Sequence, residues 1–99
     1  MKVEILKTKQ RLDVSVEGRL DAVTSPELEE KLTPALADIQ TLIFDFSGLK
    51  AISSAGLRVL LTAVKRMDEQ SGTMTIKNAS EEVKKVFKLT GFMKVLNVQ

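Results

Sequence analysis

The sequence predicts an α/β fold: one mixed sheet of four to five strands with helices packed on it. Three observations point there. Val3 to Lys7 and Leu12 to Glu17 alternate apolar and polar residues, the period of a strand. Leu28, Leu32 and Leu36, and later Leu57, Leu60, Leu61, Val64 and Met67, recur at the three- and four-residue spacings of amphipathic helices. These patterns follow one another as strand, strand, helix, strand, helix, strand, helix, the order of a mixed sheet layered with helices.

The first two strands are separated by Thr8 to Arg11, short enough for a hairpin, and Gly18-Arg19 ends the second. A helix start follows. Ser25 is the expected cap and Pro26 suits the first helical position, while Glu27, Glu29 and Glu30 favour the positive helix end. This helix is expected to run to about Asp38, with a kink at Pro34, which lacks the N–H its helical hydrogen bond requires. Thr41 to Phe46 is the most apolar strand, and Leu42-Ile43-Phe44 suggests a central strand covered on both faces. Ser47 to Ser54 reads as a loop. The next helix places Leu57, Leu60, Leu61, Val64 and Met67 on one face, and Ser71-Gly72 breaks it. Thr73 to Lys77 is a further strand. Ser80 is expected to cap a last helix with Glu81 and Glu82 in its first turn, Val83, Val86 and Phe87 inward, and Gly91 closing it. Lys94 to Val98 is a candidate for one more short strand. Leu42, Phe44, Leu57, Leu60, Leu61, Val64 and Phe87 are the expected core.

Composition bounds the chemistry. Ninety-nine residues are enough for one domain, 1–99, with a single core, and 43% apolar with 28% charged residues is a globular balance. Cysteine and histidine are both absent. That excludes a disulfide framework, a thiol nucleophile, a Ser-His-Asp triad and the HExxH metal site, so the chain is expected not to be an enzyme. No Gly-rich phosphate loop is present, carboxylates do not fall at Ca²⁺-loop spacing, and no cofactor or metal is expected. No apolar run exceeds three residues, so no membrane span or signal-peptide core is expected and the default compartment is the cytoplasm. Residues 1–45 hold six Lys/Arg against nine Asp/Glu, and residues 46–99 hold nine against four. The basic half lacks Trp and Tyr, the stacking platforms of a single-strand binder, so no direct nucleic-acid contact is expected. Lys84, Lys85 and Lys88 read as a solvated helix face, with an acidic docking partner as the alternative.

The most informative segment runs from Asp45 to Leu57, joining the apolar strand to a strongly amphipathic helix. Ser53 and Ser54 stand at the helix start with the small residues Ala55 and Gly56 behind them. Helix N-termini carry free N–H groups and partial positive charge, so a phosphate attached there is well placed. The ordinary alternative is that serine caps the helix and Gly56 permits close packing. Asp45 and Asp21 are the nearby carboxylates. Neither makes an activating base for a serine on position alone.

Three stretches carry a family resemblance: Gly18-Arg19-Leu20-Asp21-Ala22, Asp45-Phe46-Ser47-Gly48-Leu49, and Ile52-Ser53-Ser54-Ala55-Gly56-Leu57. Together they resemble the STAS domain family, most closely the bacterial anti-sigma factor antagonists, and Val86 to Phe92 is similar to the family's closing helix. The family pattern at the loop is Asp-Ser-Ser/Ala-Gly-Leu, and its first serine is phosphorylated by a partner kinase that is itself the anti-sigma factor. Aligned on Gly56-Leu57, that serine is Ser54, and the usual Asp is replaced by Ser53. Asp21 matches the acidic position after the second strand.

The resemblance implies a monomeric partner-switching protein that binds an anti-sigma factor with serine kinase activity while unphosphorylated. Phosphorylation at Ser54 switches it off, and a phosphatase is the implied reversing partner. The implied contact surface is Asp21, Ser53, Ser54, Ala55, Gly56, Leu57 and Arg58. The alternative is a STAS subunit of a larger assembly, such as a lipid-transport complex or a stress-signalling particle.

Overall fold

A computed structural model describes all residues, Met1–Gln99. The elements are β1 (Lys2–Thr8), β2 (Arg11–Leu20), α1 (Ser25–Ala35), β3 (Thr41–Asp45), β4 (Leu49–Ile52), α2 (Ser54–Glu69), β5 (Thr73–Lys77), α3 (Glu81–Thr90) and a short 3₁₀ turn at Phe92–Lys94. The sheet runs β1-β2-β3-β5, with β4 beside the far end of β2. Only the β1–β2 pair is antiparallel; β2–β3, β2–β4 and β3–β5 are parallel. The expected mixed α/β architecture is therefore present, with five strands and three α-helices.

Register explains which residues meet the helices. Val3 and Ile5 lie opposite Val16 and Val14, Leu12 and Val14 beside Leu42 and Phe44, and Phe44 beside Ile76. This face is buried with Leu28 and Leu32 of α1, Leu57, Leu60, Ala63 and Met67 of α2, and Val83 and Phe87 of α3 in one core. The other face carries Glu4, Asp13, Ser15, Ile43 and Thr75 and is open. β3 is thus central between β2 and β5 but covered on one side only, and Ile43 is half-buried on the open face. An uninterrupted apolar triplet is not enough to require a second helical layer when its middle residue tolerates partial exposure.

Four local expectations are corrected. The segment read as a loop contains β4. Five steps along β2, Ser15 to Leu20, are matched by seven along its neighbour, Asp45 to Ile52. The extra residues break the alternation that a sequence pattern needs, although Leu49 and Ile52 are buried. The cap of α1 is not Ser25. Thr24 takes that place, and Ser25 lies inside the helix with its N–H donating to the Asp21 carbonyl at 2.8 Å. Pro34 does not kink α1 mid-course: the helix ends one residue later, where the Leu36 N–H turns back to the Thr33 carbonyl. Leu36 and Ile39 beyond it remain buried. The C-terminal stretch is not a strand but a 3₁₀ turn followed by one parallel bridge, Ile76 to Val98. Two backbone bonds flank that bridge, Ile76 N–H to Asn97 and Gln99 N–H to Ile76.

The last helix follows its sequence signals. Ser80 Oγ accepts from the Val83 N–H at 3.2 Å, and Gly91 adopts φ 80°, the left-handed C-cap that glycine reaches without strain.

Candidate functional site

Parallel pairing brings the C-terminal ends of β2 and β4 together. Leu20 pairs with Ile52, and the Ser53 N–H donates to the Leu20 carbonyl at 2.9 Å. The turn entering α1 and the start of α2 therefore share one edge of the domain, which unites Asp21 with Ser53 and Ser54 as the sequence suggested.

The Asp21 turn is tightly closed. Asp21 Oδ1 accepts from the N–H groups of Val23 and Thr24 at 3.0 and 3.1 Å. The Thr24 hydroxyl accepts from the Asp21 N–H at 2.9 Å and donates to the Arg19 carbonyl at 2.7 Å. The backbone bonds from Thr24 and Val23 hold the Asp21 carboxyl below its usual range, so it is anionic at neutral pH. Val23 at the tip is 86% exposed, an apolar side chain beside a fixed negative charge.

The start of α2 is built differently. Ser53 is its N-cap residue in extended conformation, φ −110° and ψ −179°, and its carbonyl accepts from the Leu57 N–H at 3.0 Å. Its side chain makes no capping bond, and Ser53 Oγ is enclosed without a partner in the chain. Ser54, the first helical residue, is exposed. Arg58, one turn further along the same face, is also exposed, while Ala55 is half-buried. Gly56 and Leu57 are buried and support the surface from beneath. A Cβ on Gly56 would lie 2.8 Å from both Ile52 Cγ1 and Leu20 Cγ, so this glycine lets α2 seat against the paired strand ends. Its smallness serves internal packing.

Leu61 was expected in the core and is instead half-buried on the stripe that carries Ser54. Ser54, Leu57, Arg58 and Leu61 form one wall of a shallow groove of about 290 Å³, and Thr90 and Phe92 form the other. The repeat Ser54, Arg58, Leu61 was visible as a helical stripe. The contribution of Thr90 and Phe92 was not, because it depends on how the end of α3 meets α2.

The remaining candidates lie apart from this edge. Asp45 accepts from the Ser47 N–H at 3.0 Å and from Asn78 Nδ2 at 3.1 Å. These bonds, that from Ser47 foremost, lower its pKa. Its register partner Ser15 is five residues back from Leu20 along β2, roughly 16 Å at strand rise, so Asp45 is a turn-closing carboxylate. On α3, Lys84 approaches Glu81 at 4.0 Å, and Lys85 and Lys88 are exposed.

The model of the STAS domain matches residues 2–99. The chain belongs to the STAS domain family. Among curated relatives, this STAS domain is 27% identical to the "Anti-sigma-B factor antagonist" of Bacillus subtilis (strain 168), over 97% of this chain and 88% of that protein. Among solved structures, it superposes on the anti-sigma factor antagonist SpoIIAA in its unphosphorylated form with a TM-score of 0.86 at 21% identity, covering 99% of this chain and 88% of the other. An anti-sigma factor antagonist from Mycobacterium paratuberculosis gives the same TM-score at 24% identity, over 98% of this chain and 83% of its own. These likenesses fix the STAS fold. No helix of this STAS domain is long and apolar enough to cross a membrane.

Proposed function

We propose that this STAS domain is an anti-sigma factor antagonist, and that its partner is an anti-sigma factor with serine kinase activity. The contact surface is the Asp21 turn with exposed Val23, together with Ser54, Arg58 and the groove beside them. In the unphosphorylated state this surface occupies the anti-sigma factor and frees the sigma factor. The kinase then transfers the γ-phosphoryl group of ATP to Ser54 Oγ; the hydroxyl proton is lost and ADP leaves. The phosphate adds about −1.5 to −2 charge at the contact surface. Docking is opposed by its desolvation, which the anionic Asp21 turn on the same edge makes costlier. A phosphatase would restore the binding state.

The observation that carries this proposal is the contrast between the two serines. Ser54 is exposed at the α2 start, whereas the Ser53 hydroxyl oxygen is enclosed. A kinase reaches the first and not the second without opening the domain. The test is incubation with the cognate anti-sigma factor and ATP, followed by fragment mass spectrometry, with Ser53→Ala and Ser54→Ala in parallel. Phosphate is expected on the parent and on Ser53→Ala and absent from Ser54→Ala. Phosphate retained on Ser54→Ala and lost from Ser53→Ala would assign the acceptor to the wrong serine here.

A further inference from the structure

Arg58 has no assigned task in the folded chain. Its side chain is exposed, and the ion pairs of the domain are Lys2–Glu4, Arg11–Asp13 and Lys84–Glu81. Its guanidinium makes no hydrogen bond within the chain; the one side chain bonded to this residue is Thr62, whose hydroxyl donates to the Arg58 main-chain carbonyl at 3.0 Å. The first turn of α2 holds no acidic residue, so no carboxylate there competes for the guanidinium. The carboxylate on the same edge, Asp21, already accepts two N–H groups of its own turn. Ser54 precedes Arg58 by four positions, and both line the groove opposite Thr90 and Phe92.

Residues four apart on a helix are surface neighbours, and an anion N-terminal to a cation is the favourable order. A phosphate presents several oxygens to the planar fork of a guanidinium, which binds such groups in bidentate fashion. We propose that Arg58 is the internal counter-ion of a phosphate on Ser54, and that their ion pair draws the guanidinium across the mouth of the groove. This rests on Ser54 being the phosphoacceptor. Phosphorylation then does more than add charge. It takes Arg58 from the donors offered to a partner and covers the apolar wall formed by Leu61 and Phe92. A Ser54→Asp chain carries a shorter, singly charged group and reproduces this covering poorly.

The experiment installs phosphoserine at position 54 by encoded incorporation and follows the phosphate titration by phosphorus NMR in the parent, Arg58→Gln and Arg58→Lys chains. The expected midpoint in the parent lies about 0.5 unit below that of Arg58→Gln, with Arg58→Lys between them. The Leu61 methyl resonances should shift on phosphorylation only when Arg58 is present. Equal midpoints in the parent and Arg58→Gln, or a Leu61 shift independent of Arg58, would overturn the counter-ion role. Position 58 is exposed, so both variants should keep the parent amide spectrum. No kinase takes part in this titration, so it reads the ion pair separately from the choice of acceptor; a kinase that modified another residue would sink the Ser54 proposal alone.

Discussion

Two helices of this domain have a serine as their N-cap residue, and the two starts are finished in opposite ways. At α3, the Ser80 hydroxyl accepts the Val83 N–H, and Glu81 and Glu82 place negative charge in the first turn. At α2, Ser53 has the extended backbone of an N-cap but gives no side-chain bond, and the first turn has no acidic residue. One helix end is satisfied from within the chain. The other keeps its N–H groups and partial positive charge uncompensated, directly behind an exposed Ser54. The same residue type thus marks a satisfied cap in one place and an unsatisfied helix start in the other. The difference lies in the neighbours: α3 carries its own acid, whereas α2 starts on Ser54-Ala55-Gly56.

If α2 is held by packing and not by its cap, the largest effect should come from its buried face. Leu60 is fully buried, and Leu60→Ala should cost about 2–5 kcal/mol in chemical denaturation. A loss below about 1 kcal/mol, the size of a surface change, would place the helix's anchorage elsewhere. Next in size, Ser80→Ala should cost about 1 kcal/mol, the usual worth of a serine cap. Ser53→Ala should cost less than about 0.5 kcal/mol, since it removes no capping bond. Equal losses at the two positions would erase the distinction between the helix starts. Adding an acid at the exposed first helical position sharpens it from the other side: Ser54→Asp should stabilise the domain by about 0.3–1 kcal/mol by meeting the uncompensated helix end.

The smallest effect concerns acid. Asp21 and Asp45 close turns through backbone N–H bonds that lower their pKa values in the folded chain. A lowered folded pKa means that the contribution to stability is complete above the ordinary value of about 3.9 and disappears as pH falls through the folded value. Thermal melts should therefore lose stability below about pH 4. They should vary little between pH 6 and pH 8 on account of side chains, because no histidine is present. Asp21→Asn should flatten part of the acid limb, and an unchanged limb would remove Asp21 from its cause.

The order of elements and the α3 caps were legible because they depend on local periodicity and on residues a few positions apart. β4 was hidden because its two added residues destroy the alternation, and its identity comes from pairing with β2. Leu61 was assigned to the core because it lies four residues after Leu57, yet it lies at the edge of the buried face and opens into the groove. Ser25 lost the cap to Thr24 because the Asp21 carboxylate organises the whole turn, a preference that one residue's propensity does not express. The motif pointed to Ser54 and Asp21, and the pairing of β2 with β4 brings their segments to one edge. The enclosed Ser53 hydroxyl and the groove wall at Phe92 required the tertiary arrangement.

The central claim is a switch at Ser54, and it is tested most directly by the affinity of the cognate anti-sigma factor for two samples: the unmodified chain and the chain stoichiometrically phosphorylated at Ser54. Loss of about 3 kcal/mol, more than a hundredfold in Kd, is the predicted result. Equal affinities for the two samples would contradict it.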